Sequence, residues 1–272
     1  MTVVLEQLRP ERLPQALELV RNGGMAGAAS HLGQYVAVQP DGYWLAVEDN
    51  STVVGVGGAL RFGPVAFVGA MAVLPSHRGR GVGSTILQHT MAQARRHGCT
   101  TLLLEATALG APVYARAGFV PCGVTQVWQR GASVVTGPPP PSTVDVDWDA
   151  CLRLDALALG YARGPMLAAL RDGGAHAAFV DGAYGLAWPG RLGPWVATGA
   201  DAAARVLDAL LPHAVGADGT VAIYVPPDAG VAGSLLEARG FVVVRQLTRM
   251  ALGPLPPGRP AWVLGLATAG MG

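Results

Sequence analysis

The sequence has 272 residues, 51% of them hydrophobic and 14% charged, and carries a formal net charge of +1 at pH 7. A chain of this length forms one large or two ordinary domains, and its nearly balanced charge gives no field that would attract nucleic acid. No apolar run approaches the ~20 residues of a membrane helix, and no basic segment followed by an apolar one opens the chain. We therefore expect a cytoplasmic protein with neither membrane nor nucleic-acid partners.

The predicted elements of the first half alternate between strands and helices. They are a strand at 3–8, a helix at 11–20, antiparallel strands at 43–48, 52–62 and 65–73, a helix at 82–97, a strand at 101–105, a helix at 111–117 and a strand at 119–130. Because a strand–helix–strand crossover joins parallel strands, the strands at 65–73 and 101–105 should run parallel.

A proline-rich segment divides the chain. We expect domains at 1–131 and 147–272, joined by a linker at 132–146. Beyond the linker, the pattern predicts helices at 148–159 and 164–170, strands at 176–180, 183–188 and 194–198, a helix at 201–211, a strand at 221–225, a helix at 231–238 and a strand at 241–250. The second half thus repeats the order of the first, and the charge-free segment 260–272 suggests a further packed strand.

The three cysteines are an odd number with no Cys-x-x-Cys spacing, and they stand at Cys99, Cys122 and Cys151. This pattern fits neither a disulfide framework nor a zinc site. We therefore expect free thiols in core or turn positions and no bound metal.

A glycine-rich loop between the strand at 65–73 and the following helix is the most informative segment. From Arg78 to Gly83 it reads Arg-x-x-Gly-x-Gly, so backbone amides and a helix N-terminus can converge on an anion such as a pyrophosphate. A Walker loop would need a lysine near its end, and a dinucleotide loop needs Gly-x-Gly-x-x-Gly spacing; neither is present. A turn that merely joins strand to helix remains an alternative.

This loop, directly after a strand ending Met-Ala-Val, resembles the coenzyme A loop of the GNAT acetyltransferase family. Residues 104–119 resemble the family's strand-to-helix segment in its short variant, although an asparagine that touches the coenzyme in many relatives is missing. The whole chain resembles a tandem GNAT protein with an active first copy and a degenerate second copy. The match of 114–120 to 236–242 supports the repeat, whereas no Arg-x-x-Gly-x-Gly follows Thr198 and Tyr114 aligns with Leu236.

The resemblance implies an α/β fold with two domains, each a mixed, mostly antiparallel sheet flanked by helices. The strands that end near Val73 and Glu105 would splay apart to admit the pantetheine arm of acetyl-CoA. The residues implied in coenzyme binding are Met71, Ala72, Val73, Arg78, Gly79, Arg80, Gly81, Val82, Gly83, Ser84, Thr107 and Tyr114.

The resemblance also implies roles in the chemistry. Tyr114 matches the family tyrosine that protonates the departing thiolate; the alternative is that it only packs under the coenzyme. Glu105 is the nearest candidate for a general base, with a hydrogen bond to a loop or helix end, or a water chain to bulk solvent, as alternatives. His31 and Tyr43 are candidates for lining the acceptor site, and His77 for the fringe of the phosphate loop.

The function implied is acetyl transfer from acetyl-CoA to a primary amine of a small molecule, by direct attack in a ternary complex. Two other functions stay open: a non-catalytic acyl-CoA sensor or scaffold, and an acyltransferase that uses a longer acyl-CoA or a protein amine. Assembly as a homodimer also stays open.

Overall fold

The computed structural model describes residues 3–22, 31–49, 51–131 and 146–272. Its contacts divide into two compact units. Unit 1 contains Met1–Pro121, Met250–Leu255 and Ala269–Gly272, and unit 2 contains Cys122–Arg249 and Pro256–Thr268. Two short segments late in the sequence therefore belong to the first unit. The expected domain limits at 131 and 147 stay a prediction, since 132–145 lie outside the described residues.

Unit 1 is a mixed sheet with helices on its faces. Its elements are β1 (Val3–Gln7), α1 (Leu13–Asn22), α2 (Leu32–Val38), β2 (Tyr43–Glu48), β3 (Thr52–Phe62), β4 (Val65–Val73), α3 (Val82–Arg96), β5 (Thr101–Ala106) and α4 (Ala111–Arg116). Strands β1 to β4 are antiparallel neighbours in that order, and β5 pairs with β4 in parallel. The predicted parallel pair is confirmed.

Two differences from the sequence prediction concern the first helices. Helix α1 begins at Leu13 because residues 10–12 form a separate 3-10 turn that starts with Pro10. Helix α2 was not predicted. It is short and has no side-chain cap at His31, and it buries Leu32, Tyr35 and Val36, so tertiary packing holds it.

The core of unit 1 fixes which way the side chains of β4 and β5 point. Leu87 and Met91 of α3 lie in one buried cluster with Val68 of β4 and with Leu104 and Ala106 of β5. Because strand residues alternate between faces, the neighbouring positions on each strand point to the face opposite α3.

Unit 2 repeats this alternation of strands and helices. Its elements are β6 (Val120–Arg130, in unit 2 from Cys122), α5 (Trp148–Leu159), α6 (Gly164–Asp172), β7 (His176–Val180), β8 (Ala183–Trp188), β9 (Arg191–Ala197), α7 (Ala200–Leu210), β10 (Val221–Val225), α8 (Ala232–Glu237), β11 (Val242–Leu252, in unit 2 as far as Arg249) and β12 (Val263–Gly265). Strand β10 pairs with β6 and β9, and β12 pairs with β9. The packed strand expected in 260–272 is thus present.

A fully buried ion pair braces unit 2. Arg163 donates to both carboxylate oxygens of Asp155, at 3.0 and 2.9 Å, and the Tyr184 hydroxyl donates to the same carboxylate. All three side chains are almost inaccessible to solvent. The adjacent carboxylate keeps the pKa of Arg163 above its ordinary value, although burial opposes this, and burial raises the pKa of Tyr184.

Candidate active site

Strand β4 parts from β5 midway along its length. Parallel pairing runs from Val65 opposite Thr101 to Phe67 opposite Leu103, although β4 continues to Val73 and β5 to Ala106. The second half of β4 remains paired with β3 on its other side, where Ala72 lies opposite Val56. The backbone of Met71–Val73 thus has an edge turned toward the gap between β4 and β5, which is the arrangement that the resemblance implies.

A β-bulge lies at the start of that gap. Gly69 of β4 pairs with Gly58 of β3, whereas Ala72 pairs with Val56, so Ala70 and Met71 together oppose Gly57. Ala70 has a φ of 53°, which an alanine seldom adopts. A β-carbon at Gly57 would collide with the Met71 sulfur, so this glycine makes room for the bulged strand. Such a bulge re-aims the backbone groups of β4.

The glycine-rich loop lies between β4 and α3. Gly79 and Gly81 have φ values of 74° and 84°, in the left-handed region that favours glycine, and a β-carbon at either would meet nothing within 4 Å. Gly81 caps α3. The amides of Val82, Gly83 and Ser84 form the first turn of this helix, where backbone donors have no intrahelical acceptor. Donors and the positive end of the helix dipole therefore gather at one point.

Side chains tie this loop to the neighbouring strands. Arg78 donates from Nε to the Val73 carbonyl at 3.1 Å. His77 Nε2 lies 2.9 Å from a carboxylate oxygen of Glu48 on β2, and its Nδ1 lies 2.8 Å from Ser76 Oγ. His77 therefore borders the loop, as predicted, and braces it against the sheet.

Tyr114 lies on α4 and is only partly exposed. It packs with Phe119 at 6.0 Å between ring centroids and joins the same core cluster as Met71. Burial raises the pKa of its phenol to about 12. Thr107 is exposed, and its Oγ1 accepts a hydrogen bond from the Gly110 amide at 3.2 Å, which closes the turn that leads into α4.

Glu105 is half-buried near the end of β5. Its neighbours Leu104 and Ala106 belong to the cluster beneath α3, so the carboxylate points to the opposite face of the sheet. Gly69 of β4 points to that same face, because Val68 lies in the α3 cluster.

The two candidate acceptor residues both contact Tyr35, a residue that the sequence did not single out. His31 and Tyr43 are both buried, and both stack on Tyr35, at centroid distances of 6.3 and 5.9 Å. The Tyr43 hydroxyl has no hydrogen-bond partner among the described residues, and burial raises its pKa well above the ordinary value. Helical spacing in 32–38 could have pointed to Tyr35, but nothing in the sequence pattern pairs it with Tyr43.

The second half lacks the corresponding geometry. Only Thr198 and Gly199 separate β9 from α7, so no glycine-rich loop like the one before α3 precedes this helix. The position aligned with Tyr114 holds Leu236, which is fully buried in the core of unit 2. Neither a glycine-rich anion-binding loop nor a tyrosine is present at these positions.

Within the described ranges, no three His, Cys, Asp or Glu residues group as metal ligands. The three cysteines are free, with Cys99 and Cys151 buried. No helix in the part of the chain that the structure describes has the length and apolarity to cross a membrane.

Comparison with known proteins agrees with this architecture. One model, for the acetyltransferase (GNAT) family, matches residues 13–119, and another, for an acetyltransferase (GNAT) domain, matches 151–263. Streptothricin acetyltransferase of Streptomyces lavendulae is 38% identical over 64 residues. That match covers 22% of this chain and 34% of the relative.

Solved structures share the fold. A Pyrococcus horikoshii protein of known crystal structure superposes with a TM-score of 0.88 at 21% identity, over 99% of this chain and 96% of its own. A GCN5-related N-acetyltransferase of Sphaerobacter thermophilus gives 0.60 at 15% identity, over 94% and 96% of the two chains. At these identities the likeness concerns the fold alone.

The fold and the site thus define a tandem acetyltransferase architecture. The chain belongs to the GNAT acetyltransferase family, with two GNAT-like domains in succession.

Proposed function

We propose that this protein is an acetyl-CoA-dependent N-acetyltransferase that acts on a primary amine of a small molecule, with catalysis in residues 1–131. The observation that carries the proposal is the edge of β4 that β5 leaves unpaired, between the bulge and the glycine-rich loop. A relative named for the acetylation of streptothricin supports acetyl transfer.

The coenzyme would use both parts of this edge. Backbone groups of Met71–Val73 would pair with the pantetheine arm in the manner of an added strand. The first-turn amides of α3, together with Arg78 and Arg80, would hold the pyrophosphate.

The reaction would proceed by direct attack. The neutral amine nitrogen bonds to the thioester carbonyl carbon, whose oxygen becomes an oxyanion that a backbone N–H of the Met71–Val73 stretch stabilises. Collapse of this intermediate breaks the carbon–sulfur bond and releases the thiolate. The nitrogen, positively charged after the attack, loses one proton to Glu105 or to water. The thiolate gains one proton from Tyr114, and water then reprotonates the Tyr114 phenolate.

Tyr114 suits this role because its phenol is protonated at neutral pH, and burial raises its pKa to about 12. The burial that disfavours a tyrosinate also disfavours a thiolate in the same site, so donor and acceptor shift together. Proton donation of this kind typically contributes about 10²- to 10⁴-fold to the rate.

The test is the Tyr114→Phe variant, measured by thiol release from acetyl-CoA with a library of primary amines. We expect kcat to fall at least ~100-fold, while the Kd of acetyl-CoA stays within about twofold because the ring still packs against Phe119. Tyr224→Phe, in unit 2, is the matched control and should leave kcat unchanged. Undiminished turnover in Tyr114→Phe would remove the general-acid assignment. Coenzyme binding by the wild-type protein without turnover on any amine would instead favour the alternative function, a non-catalytic acyl-CoA sensor.

A further inference from the structure

The last four residues of the sequence, Ala269–Gly272, here called the tail segment, belong to unit 1. Gly270, Met271 and Gly272 are buried, and the Met271 side chain is fully inaccessible to solvent. The segment carries no charged side chain. It is therefore a buried, apolar part of the unit that holds the candidate active site.

The tail segment lies directly on β4 beside the bulge. A β-carbon at Gly69 would lie 2.8 Å from the Gly270 Cα and 3.1 Å from its carbonyl oxygen, so the two backbones touch with no side chain between them. Gly69 immediately precedes the bulged Ala70 and points to the face opposite α3. On the proposed function, from which this inference follows, the thioester carbonyl lies next along the strand.

Tyr35 bounds the tail segment on another side. A β-carbon at Gly270 would lie 3.7 Å from Tyr35 Cε2, 3.8 Å from its hydroxyl oxygen and 3.8 Å from the Gly69 Cα. Tyr35 itself stacks on both His31 and Tyr43. Gly270 thus lies between a strand and an aromatic stack.

We propose that the tail segment is the wall of the acceptor site that limits bulk on the carbon bearing the reacting nitrogen. The acceptors are then unbranched primary amines, whose nitrogen is attached to a CH₂ group, in preference to amines on a branched carbon. A single methyl group in a closed pocket changes discrimination by about 10- to 200-fold. The wild-type protein should therefore favour the unbranched member of a matched pair at least ~10-fold in kcat/KM.

Gly270→Ala tests this wall. The added methyl makes only ordinary van der Waals contacts in the protein, so the variant should fold while narrowing the space between Gly69 and Tyr35. We expect the preference for the unbranched amine to rise by a further ~10-fold, with the Kd of acetyl-CoA unchanged. Gly199→Ala in unit 2, where a β-carbon meets nothing within 4 Å, is the control and should leave the preference as it is.

Deletion of residues 269–272 is the opposite perturbation and should abolish the preference. Gly69→Ala should alter the preference in the full chain and have no effect after the deletion, because its clash is with Gly270. A wild-type protein that acetylates both members equally, or a Gly270→Ala variant with an unchanged preference, overturns the inference even where the deletion variant does not fold. Failure of the wild-type protein to acetylate any amine would instead contradict the proposed function.

Discussion

The conformation of Gly81 gives a quantitative test of the coenzyme loop. Its φ of 84° places it in the left-handed region, which costs an alanine about 1–2 kcal/mol. In Gly81→Ala the free loop escapes this strain by changing conformation, and coenzyme binding must then restore it. Since 1.4 kcal/mol corresponds to a tenfold change, the Kd of acetyl-CoA should rise about 5- to 30-fold.

Two further variants separate strain from obstruction. Asparagine tolerates the left-handed region better than alanine, so Gly81→Asn should weaken binding less although its side chain is larger. Gly98 ends the same helix with a φ of 80°, and a β-carbon there also meets nothing within 4 Å. Gly98→Ala should therefore lower the free energy of unfolding by a similar ~1–2 kcal/mol and leave the Kd unchanged.

Calorimetric titration with acetyl-CoA and denaturant unfolding of the same variants supply the two quantities. Asparagine binding as weakly as alanine, or weaker, would show that the side chain obstructs the ligand and that backbone strain is not the cause. A loss of affinity in Gly98→Ala equal to that in Gly81→Ala would show that general destabilisation explains the effect.

Two other predictions concern unit 2. Asp155→Leu should lower the free energy of unfolding by about 3–5 kcal/mol, because it leaves the buried Arg163 charge uncompensated. The double variant Asp155→Leu/Arg163→Met should recover much of that loss in denaturant unfolding. A double variant no more stable than Asp155→Leu alone would contradict this prediction. His213 stacks on His176 at 3.9 Å, and burial and the neighbouring imidazole lower its pKa. As the pH falls below about 6.5, the unfolded chain therefore binds a proton at His213 before the folded protein does, so the free energy of unfolding should decline toward pH 5. The slope of this decline should be smaller in His176→Phe. An unchanged slope would refute the coupling between the two imidazoles.

The strands of the first half could be predicted closely because local signals bound them. Turn residues at Asp49-Asn50-Ser51 and at Gly63-Pro64 separate apolar runs, and the observed limits of β2, β3 and β4 are the predicted ones. The glycine-rich loop was equally visible, since its conformation demands glycine at fixed positions.

The bulge and the tail segment could not be predicted. Ala70 occupies a conformation for which its residue type gives no signal. The contact of Gly270 with Gly69 joins residues about 200 positions apart in the sequence, and no local periodicity encodes such pairing. The same holds for Thr101, whose hydroxyl donates to the carbonyl of Pro254 and helps place Met250–Leu255 in unit 1.

The coenzyme site likewise emerged only in part from the sequence. The motif identified the loop that would hold the pyrophosphate, whereas the edge of β4 that β5 leaves unpaired depends on where the pairing of the two strands stops, between Phe67 and Val68. The sequence pattern does not specify that point.

The most direct test of a single acyl-CoA site in the first half is the stoichiometry of acetyl-CoA binding, measured by calorimetric titration of the full chain. We predict one acetyl-CoA per chain. Replacing both Arg78 and Arg80 by alanine should weaken acetyl-CoA binding at least ~10-fold through the loss of charge-assisted hydrogen bonds. Arg205→Ala, an exposed arginine on α7 in the second half, should have no effect. Two molecules per chain, or undiminished binding after the loss of both loop arginines, would contradict the account.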